Sequence, residues 1–370
     1  MALHHSYDHF PDPSYYWVYS PEEQPPEPHV LLGTYYIQHQ IWAHQHPTTC
    51  EDKQFLIVPT YNSGLGSVIH TYGQILQLAM DSNRILFMAE KIDSDWIDEP
   101  FCSIHSLACY FDQITNCSLS SVLQQKSYTV IQPTTNLTAY QSVPFLYMQL
   151  TISFLRSTRT NLPLLLQSFL KDQPLTDEQK LLYWRIQSST FLTRLNARTN
   201  QWIQHYEAEN CPHCSSSYDL SIHVRHGDKA SEMKLVYADS YNLLIKYMCL
   251  LTNTTQPTIY INSDDDRTLQ SILSHPYPFV YMKDAYRING SAQRIKLLPN
   301  ITLISFANLK HQLRAHHIIG TFGSNWNRLI FELHSTVGMK EDGYFLEAGH
   351  QPCVNPLHCH LVNKPFDIYW

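Results

Sequence analysis

The sequence predicts an α/β protein built on parallel sheets, and three observations carry that prediction. Short apolar or β-branched runs recur at 55–58, 220–224, 258–262 and 316–320, most of them followed by a turn of Gly, Ser or Asp and then by a stretch with helical apolar period. The strands at 55–58, 220–224 and 316–320 run straight into polar or small residues, which places chemistry at the carboxyl edge, where open α/β sheets bind ligands. With 370 residues the chain exceeds the roughly 250–300 that one core fills, so two domains are expected.

Residues 1 to about 50 are rich in Pro, Tyr and His without sustained period, and an irregular arm over 1–53 is expected. A strand over 55–58, a turn through Gly64 and Gly66, a helix over 68–81 and a strand over 84–88 make a βαβ unit. Residues 90–175 are weakly patterned. From Thr176 the spacing predicts one long helix through Trp202, opened by a cap and an acidic first turn. The polar, cysteine-bearing stretch 206–217 separates an N-terminal α/β domain (54–215) from a C-terminal one (216–350), with a tail over 351–370. The second half then reads strand 220–224, helix 237–251, strand 258–262, strands 279–281 and 301–304, helix 308–315, strand 316–320, and a helix opened by Ser324 and Asn325. His316 and His317 sit next to each other on a strand and face opposite sides, so structural roles are expected for both.

The charge balance narrows the partners. A net charge of −7 excludes a general nucleic-acid binder, which shows a basic excess, but a local cluster of Arg, Lys and His still suits a small anion. The nine cysteines at 50, 102, 109, 117, 211, 214, 249, 353 and 359 fall in pairs and clusters mostly off the strands. Such spacing fits loop staples made in an oxidising compartment. Asn-X-Ser/Thr tripeptides at Asn116, Asn136, Asn253, Asn289 and Asn300 point to the same secretory lumen, although no signal peptide or apolar run of membrane length is visible. Cys211-Pro-His-Cys214 could be half of a zinc site, but no second pair of ligands follows at a suitable spacing, and a disulfide is the better reading.

The stretch YDLSIHVRHGDKASEMKLVYADSY at 218–241 states the chemistry. Arg225 can grip a phosphate with two parallel charge-assisted bonds, and Gly227 allows a sharp turn or close approach. The Gly64–Gly66 turn and the Ser324–Asn325 helix start each offer backbone N–H groups and a positive dipole end to an anion. Asp264, Asp265 and Asp266 could hold a divalent cation on a diphosphate or cap a helix. The cap and site-wall reading is preferred, because Arg225 already supplies the countercharge.

Four motifs in order, NSGLGSVIH at 62–70, HVRHGDK at 223–229, SDD at 263–265 and GTFGSNWNRLIFEL at 320–333, resemble the α-1,6-fucosyltransferase family of animal core and rhizobial nodulation enzymes. The resemblance covers residues 54–350. It implies a GT-B-like fold, two facing Rossmann-like domains with GDP-fucose in the cleft. It also implies inverting transfer to a glycan or glycoprotein without a metal or other cofactor, in the lumen of the Golgi or secretory pathway.

By motif, Arg225 takes the place of the arginine on the β-phosphate, His223 that of a donor-site histidine, and Gly64 and Gly66 that of the glycine turn. Ser324 and Asn325 match the small polar pair at the phosphates, and the same motifs put His70, Lys229, Asp264, Asp265, Thr321 and Arg328 on the donor side. Glu232 stands for the base that deprotonates the acceptor, one residue closer to His223 than in the animal pattern, with Asp228 as the alternative base. His226 replaces the family's second arginine, which would make that phosphate contact weaker or pH-dependent. Asn308 replaces an aspartate that reads guanine. A catalytically silent relative and an enzyme of the protein O-fucosyl type are the other readings of the same pattern.

Overall fold

A computed structural model describes residues 30–31, 33–59, 63–88, 96–118, 128–132, 136–150, 162–173, 175–226, 235–282, 299–338 and 343–348. Within them the chain forms α1 (Thr34–Gln45), β1 (Gln54–Val58), α2 (Leu65–Asp81), β2 (Arg84–Met88), β3 (Thr129–Ile131), β4 (Phe145–Met148) and α3 (Leu164–Phe169). Next come α4 (Asp177–Leu192), α5 (Ala197–Asn210), β5 (Tyr218–Val224), α6 (Ala238–Thr252), β6 (Ile259–Ser263) and α7 (Asp266–Leu273). β7 (Phe279–Val280), α8 (Ile301–Leu313), β8 (Ala315–Gly320), α9 (Asn325–His334) and β9 (Phe345–Glu347) complete the second half.

The strands form two sheets, β2-β1-β4-β3 and β7-β6-β5-β8-β9. Every pairing is parallel. Parallel sheets need cover on both faces, and the β1 side chains show it: Leu56 and Val58 enter one core, Phe55 and Ile57 another. The larger core is shared, because it gathers side chains of β1, α1, α2 and α4 with those of α8, β8 and α9. Two Rossmann-like α/β halves therefore meet through a common apolar seam.

Helix α4 runs along that seam. Thr176 and Gln179 close a capping box at its start, as the sequence leads one to expect. The helix ends at Leu192, where the spacing predicts it to continue. Asn196 opens α5 by accepting from the Thr199 N–H, and its Nδ2 donates to the carbonyls of Ala108 and Cys109. One long periodic run is thus two helices, broken where an asparagine finds better partners outside the helix.

Two other expectations fail. The arm expected to be irregular contains α1, whose buried face carries Thr34, Gln38 and Gln45 as well as Ile37 and Ile41. Gln38 donates to the side chain and carbonyl of Gln187, and Gln187 donates to Thr34, so polar residues occupy positions that an apolar period would need. Residues 301–304 form the first turn of α8, not a strand. Asp98 caps that turn from the other half, accepting from the N–H groups of Thr302 and Leu303 at 3.1 and 3.0 Å.

Disulfides link Cys50 to Cys117, Cys102 to Cys109 and Cys211 to Cys214, so the zinc reading of the last pair lapses. Cys249 is in no disulfide, and Cys353 and Cys359 lie outside the described residues. Asn116, Asn136 and Asn253 are exposed and Asn300 is half-buried, while Asn289 lies outside the described residues. Among the described residues no helix is long and apolar enough to cross a membrane.

Candidate functional site

The amino ends of one helix from each half touch. β1 leads through Gly64, the N-cap of α2, which has no side-chain cap of its own. β8 leads through the 321–323 turn to Ser324, which caps α9 by accepting from the Asn327 N–H. Gly66 lies so close to α9 that a Cβ there would sit 3.0 Å from the carbonyl carbon and oxygen of Asn325 and 3.2 Å from the Trp326 nitrogen. Asn325 Nδ2 donates to Ser67 Oγ at 2.5 Å across the same contact. Two helix starts, each with unsatisfied N–H groups and a partial positive charge, therefore converge at one point.

β5 ends beside them. Its apolar residues Leu220, Ile222 and Val224 pack toward α6 and α7, which leaves Ser221 and His223 on the opposite face, buried as well because helices cover both sides. His223 Nδ1 lies 2.6 Å from Asn327 Oδ1. Burial, opposed by that hydrogen bond and aided by the Arg225 charge, pushes its pKa down to about 3. Arg225, one residue past the strand, pairs with Asp264 at the end of β6, and its side chain keeps about a fifth of its surface exposed. Asp264 also accepts from the His226 N–H at 2.8 Å. Asp265 caps α7 through the Thr268 N–H at 2.8 Å. The aspartate cluster thus serves as wall and cap in this structure, and among the described residues no group of three His, Cys, Asp or Glu could hold a metal ion.

Several residues placed on the donor side by motif are turned into the protein. His226 Nε2 donates to the Val236 carbonyl at 2.7 Å and Nδ1 accepts from Thr268 Oγ1 at 2.8 Å, so both ring nitrogens are occupied and the expected phosphate contact is corrected. Asn308 lies mid-helix in α8, where Oδ1 accepts from the Tyr260 hydroxyl at 2.8 Å and Nδ2 donates to the Ile304 carbonyl at 2.9 Å. It holds β6 to α8, and its amide is not presented to a base. His70 is buried and donates through Nε2 to Glu332 at 3.0 Å. Arg328 is buried too, with Nε donating to the Phe322 carbonyl at 2.6 Å and Nη1 to Asn325 Oδ1 at 3.1 Å. Burial and the neighbouring Arg185 pull its guanidinium down to about 9, with Glu332 opposing. Thr321 donates to Glu347, which also accepts from the Phe322 N–H, each at 3.0 Å, so both shape the turn before α9.

Gly227, Asp228, Lys229 and Glu232 lie outside the described residues. What the structure brings together at the junction is therefore Gly64, Gly66, His223, Arg225, Asp264, Ser324 and Asn325.

No family model matches the chain, and no curated protein matches it. Among solved structures it is similar to a mutant of Arabidopsis thaliana FUT1 in complex with GDP, at 11% identity over 85% of this chain and 74% of that one, TM-score 0.44. It is similar to the apo form of POFUT1 at 10% identity over 80% and 99% of the two chains, TM-score 0.44. The fucosyltransferase NodZ from Bradyrhizobium is similar at 13% identity over 76% and 93%, TM-score 0.40.

Sequence reasoning missed the groups that hold the junction in place. Glu332 of α9 is fully buried, bonded to His70 of α2, to Arg185 of α4 at 2.5 Å and to Ser189 of α4 at 2.6 Å. Burial raises its pKa, but His70 and Arg185 outweigh that and hold the carboxyl at about 2. Burial also lowers the His70 pKa. Glu332 opposes that shift by its charge and by the hydrogen bond it accepts from the ring. Glu332 stands inside the 320–333 motif, but its partners are 143 to 262 residues away, a distance no local pattern reveals.

Proposed function

We propose that the chain is an inverting glycosyltransferase that moves fucose from GDP-fucose to a hydroxyl of a glycan or glycoprotein. The observation that carries this reading is the contact of the α2 and α9 amino ends beside Arg225. A diphosphate bridging that junction would take N–H groups from both helix starts and a charge-assisted bond from the Arg225 guanidinium, whose side chain keeps about a fifth of its surface exposed. Those groups act most strongly as the bond from the sugar to the β-phosphate breaks, since negative charge then gathers on the departing GDP. The acceptor hydroxyl attacks the anomeric carbon from the opposite face and gives its proton to a carboxylate, for which the sequence offers Glu232 or Asp228, a few residues after Arg225. The sugar and nucleotide identities come from the motif resemblance over 54–350.

A donor panel tests the reading. Unfolding temperature is measured with GDP, UDP, GDP-fucose and GDP-mannose, and a ligand at a hundred times its Kd adds about 2.7 kcal/mol of stability. GDP ligands are expected to stabilise the protein more than UDP, and Arg225→Ala to abolish the shift. Equal or absent shifts would remove the donor assignment. The inward-turned Asn308 and His226 favour one second reading, a silent nucleotide-sugar-binding relative, which would show the GDP-fucose shift without release of GDP when acceptor glycans are added.

A further inference from the structure

The amide of Asn327 is oriented by two contacts. Its Nδ2 lies 3.4 Å from the His223 carbonyl oxygen, and its Oδ1 lies 2.6 Å from His223 Nδ1. Only Nδ2 can donate, so it belongs on the carbonyl, and Oδ1, an acceptor, faces the imidazole. Nδ1 must then carry the proton. Gly320 closes the other side of the amide, where a Cβ would stand 3.0 Å from Oδ1 and 3.3 Å from Nδ2. The amide is fully buried and has little room to turn over. His223 itself is 5% exposed, and its Nε2 has no partner among the described residues. The ring lies against the first turn of α9, the turn whose start meets Gly66.

We infer that Asn327 is a positioning residue that locks His223 in the Nδ1–H tautomer, so that Nε2 accepts a hydrogen bond from a ribose hydroxyl or the exocyclic amine of the bound nucleoside. The inference rests on the donor reading above and deepens it. In a neutral imidazole the nitrogen opposite the protonated one carries a lone pair, and the partner of one nitrogen sets the role of the other. Burial keeps the ring neutral across the working pH range, with the pKa down at about 3. A lone pair repels phosphate oxygens and attracts O–H or N–H groups. His223 therefore reads the nucleoside, and the phosphates are left to Arg225 and the helix starts. A ligand lacking the matching hydrogen would leave Nε2 buried and unsatisfied, a loss of about 10- to 100-fold in affinity.

Two measurements test this. Long-range ¹H–¹⁵N spectra of histidine-labelled protein report the tautomer, with His223 assigned by its absence in His223→Gln. The Nδ1–H pattern is expected in the free protein, and the Nε2–H pattern would overturn the tautomer assignment whatever the protein binds. Calorimetry then compares GDP with 2′-deoxy-GDP, 3′-deoxy-GDP and IDP. One of the three analogues is expected to bind about 10- to 100-fold more weakly than GDP, with the Nε2 resonance moving on GDP addition. Asn327→Asp, nearly isosteric, draws a proton onto the ring and turns Nε2 into a donor, so the discrimination should vanish while the unfolding temperature reports that the fold survives. Equal binding of all four nucleotides by the parent protein refutes the nucleoside contact. Failure of GDP itself to bind refutes the donor reading and the contact with it, while the tautomer is decided separately by the spectra.

Discussion

Adding one methyl group at Gly66 tests the junction most directly. In Gly66→Ala the new Cβ would lie 3.0 Å from the Asn325 carbonyl carbon and oxygen and 3.2 Å from the Trp326 nitrogen. All three are backbone atoms and cannot rotate away. Ordinary contact needs about 3.5–4.0 Å, so α2 and α9 must part by roughly 0.5 Å. Elsewhere in a helix this change stabilises by about 0.5–1 kcal/mol. Overpacking of this kind costs about 1–3 kcal/mol, which leaves a net loss of about 0–2.5 kcal/mol. The effect on ligand should be larger, because a diphosphate spanning both helix starts loses one charge-assisted bond of about 1.5–3 kcal/mol, or about 10- to 100-fold in GDP affinity. Urea unfolding measures the first quantity and calorimetry with GDP the second. Gly64→Ala is the stability control: nothing lies within 4 Å of its Cβ position and φ is −57°, so no clash arises, and with the unfolded-state gain offset by the poorer N-cap the substitution should change stability by less than about 1 kcal/mol. A Gly66→Ala protein that is more stable than the parent and binds GDP equally well would refute the close approach and the bridging diphosphate together.

Two further perturbations probe the supports of that junction. Glu332→Gln leaves Arg185 without its countercharge in the seam and should cost about 3–5 kcal/mol by urea unfolding. Because the folded state holds the Glu332 carboxyl at about 2, below its ordinary 4.5, the parent keeps this stabilisation above pH 4.5 and loses it as the pH falls toward 2. The Gln variant should show a flatter stability profile in that window, and an unchanged slope would contradict the buried pair. For the disulfides, loop closure predicts about 4 kcal/mol for Cys50–Cys117, with a separation of 67, and about 2 kcal/mol for Cys211–Cys214, with a separation of 3. Paired Ser substitutions compared by unfolding temperature check this, and equal losses from the two pairs would argue against it.

Much of the fold was legible because its signals are local. The β1-turn-α2-β2 unit, the end of β5 and the starts of α4, α7 and α9 each depend on residues within a few positions of one another, such as the Thr176–Gln179 box, Asp265 on the Thr268 N–H and Ser324 on the Asn327 N–H. Helix α1 escaped notice since Thr34, Gln38 and Gln45 are polar but buried, bonded to Gln187 and to the Leu86 N–H. The start of α8 read as a strand because a short apolar run has no distinctive period, and its cap, Asp98, comes from the other half.

By itself, then, the sequence determined the alternation of strands, turns and helices and the placement of Arg225, Gly66 and Ser324 at carboxyl edges, since backbone geometry and capping act over three or four residues. The tertiary structure alone decided which polar groups are turned into the protein. His226 and Asn308 carry site-like identities, yet Val236, Thr268 and Tyr260 occupy their hydrogen-bonding atoms. His70 is occupied in the same way by Glu332, 262 residues distant. A buried polar atom must find a partner wherever the packed chain supplies one, and the distance to that partner along the sequence plays no part in the energy.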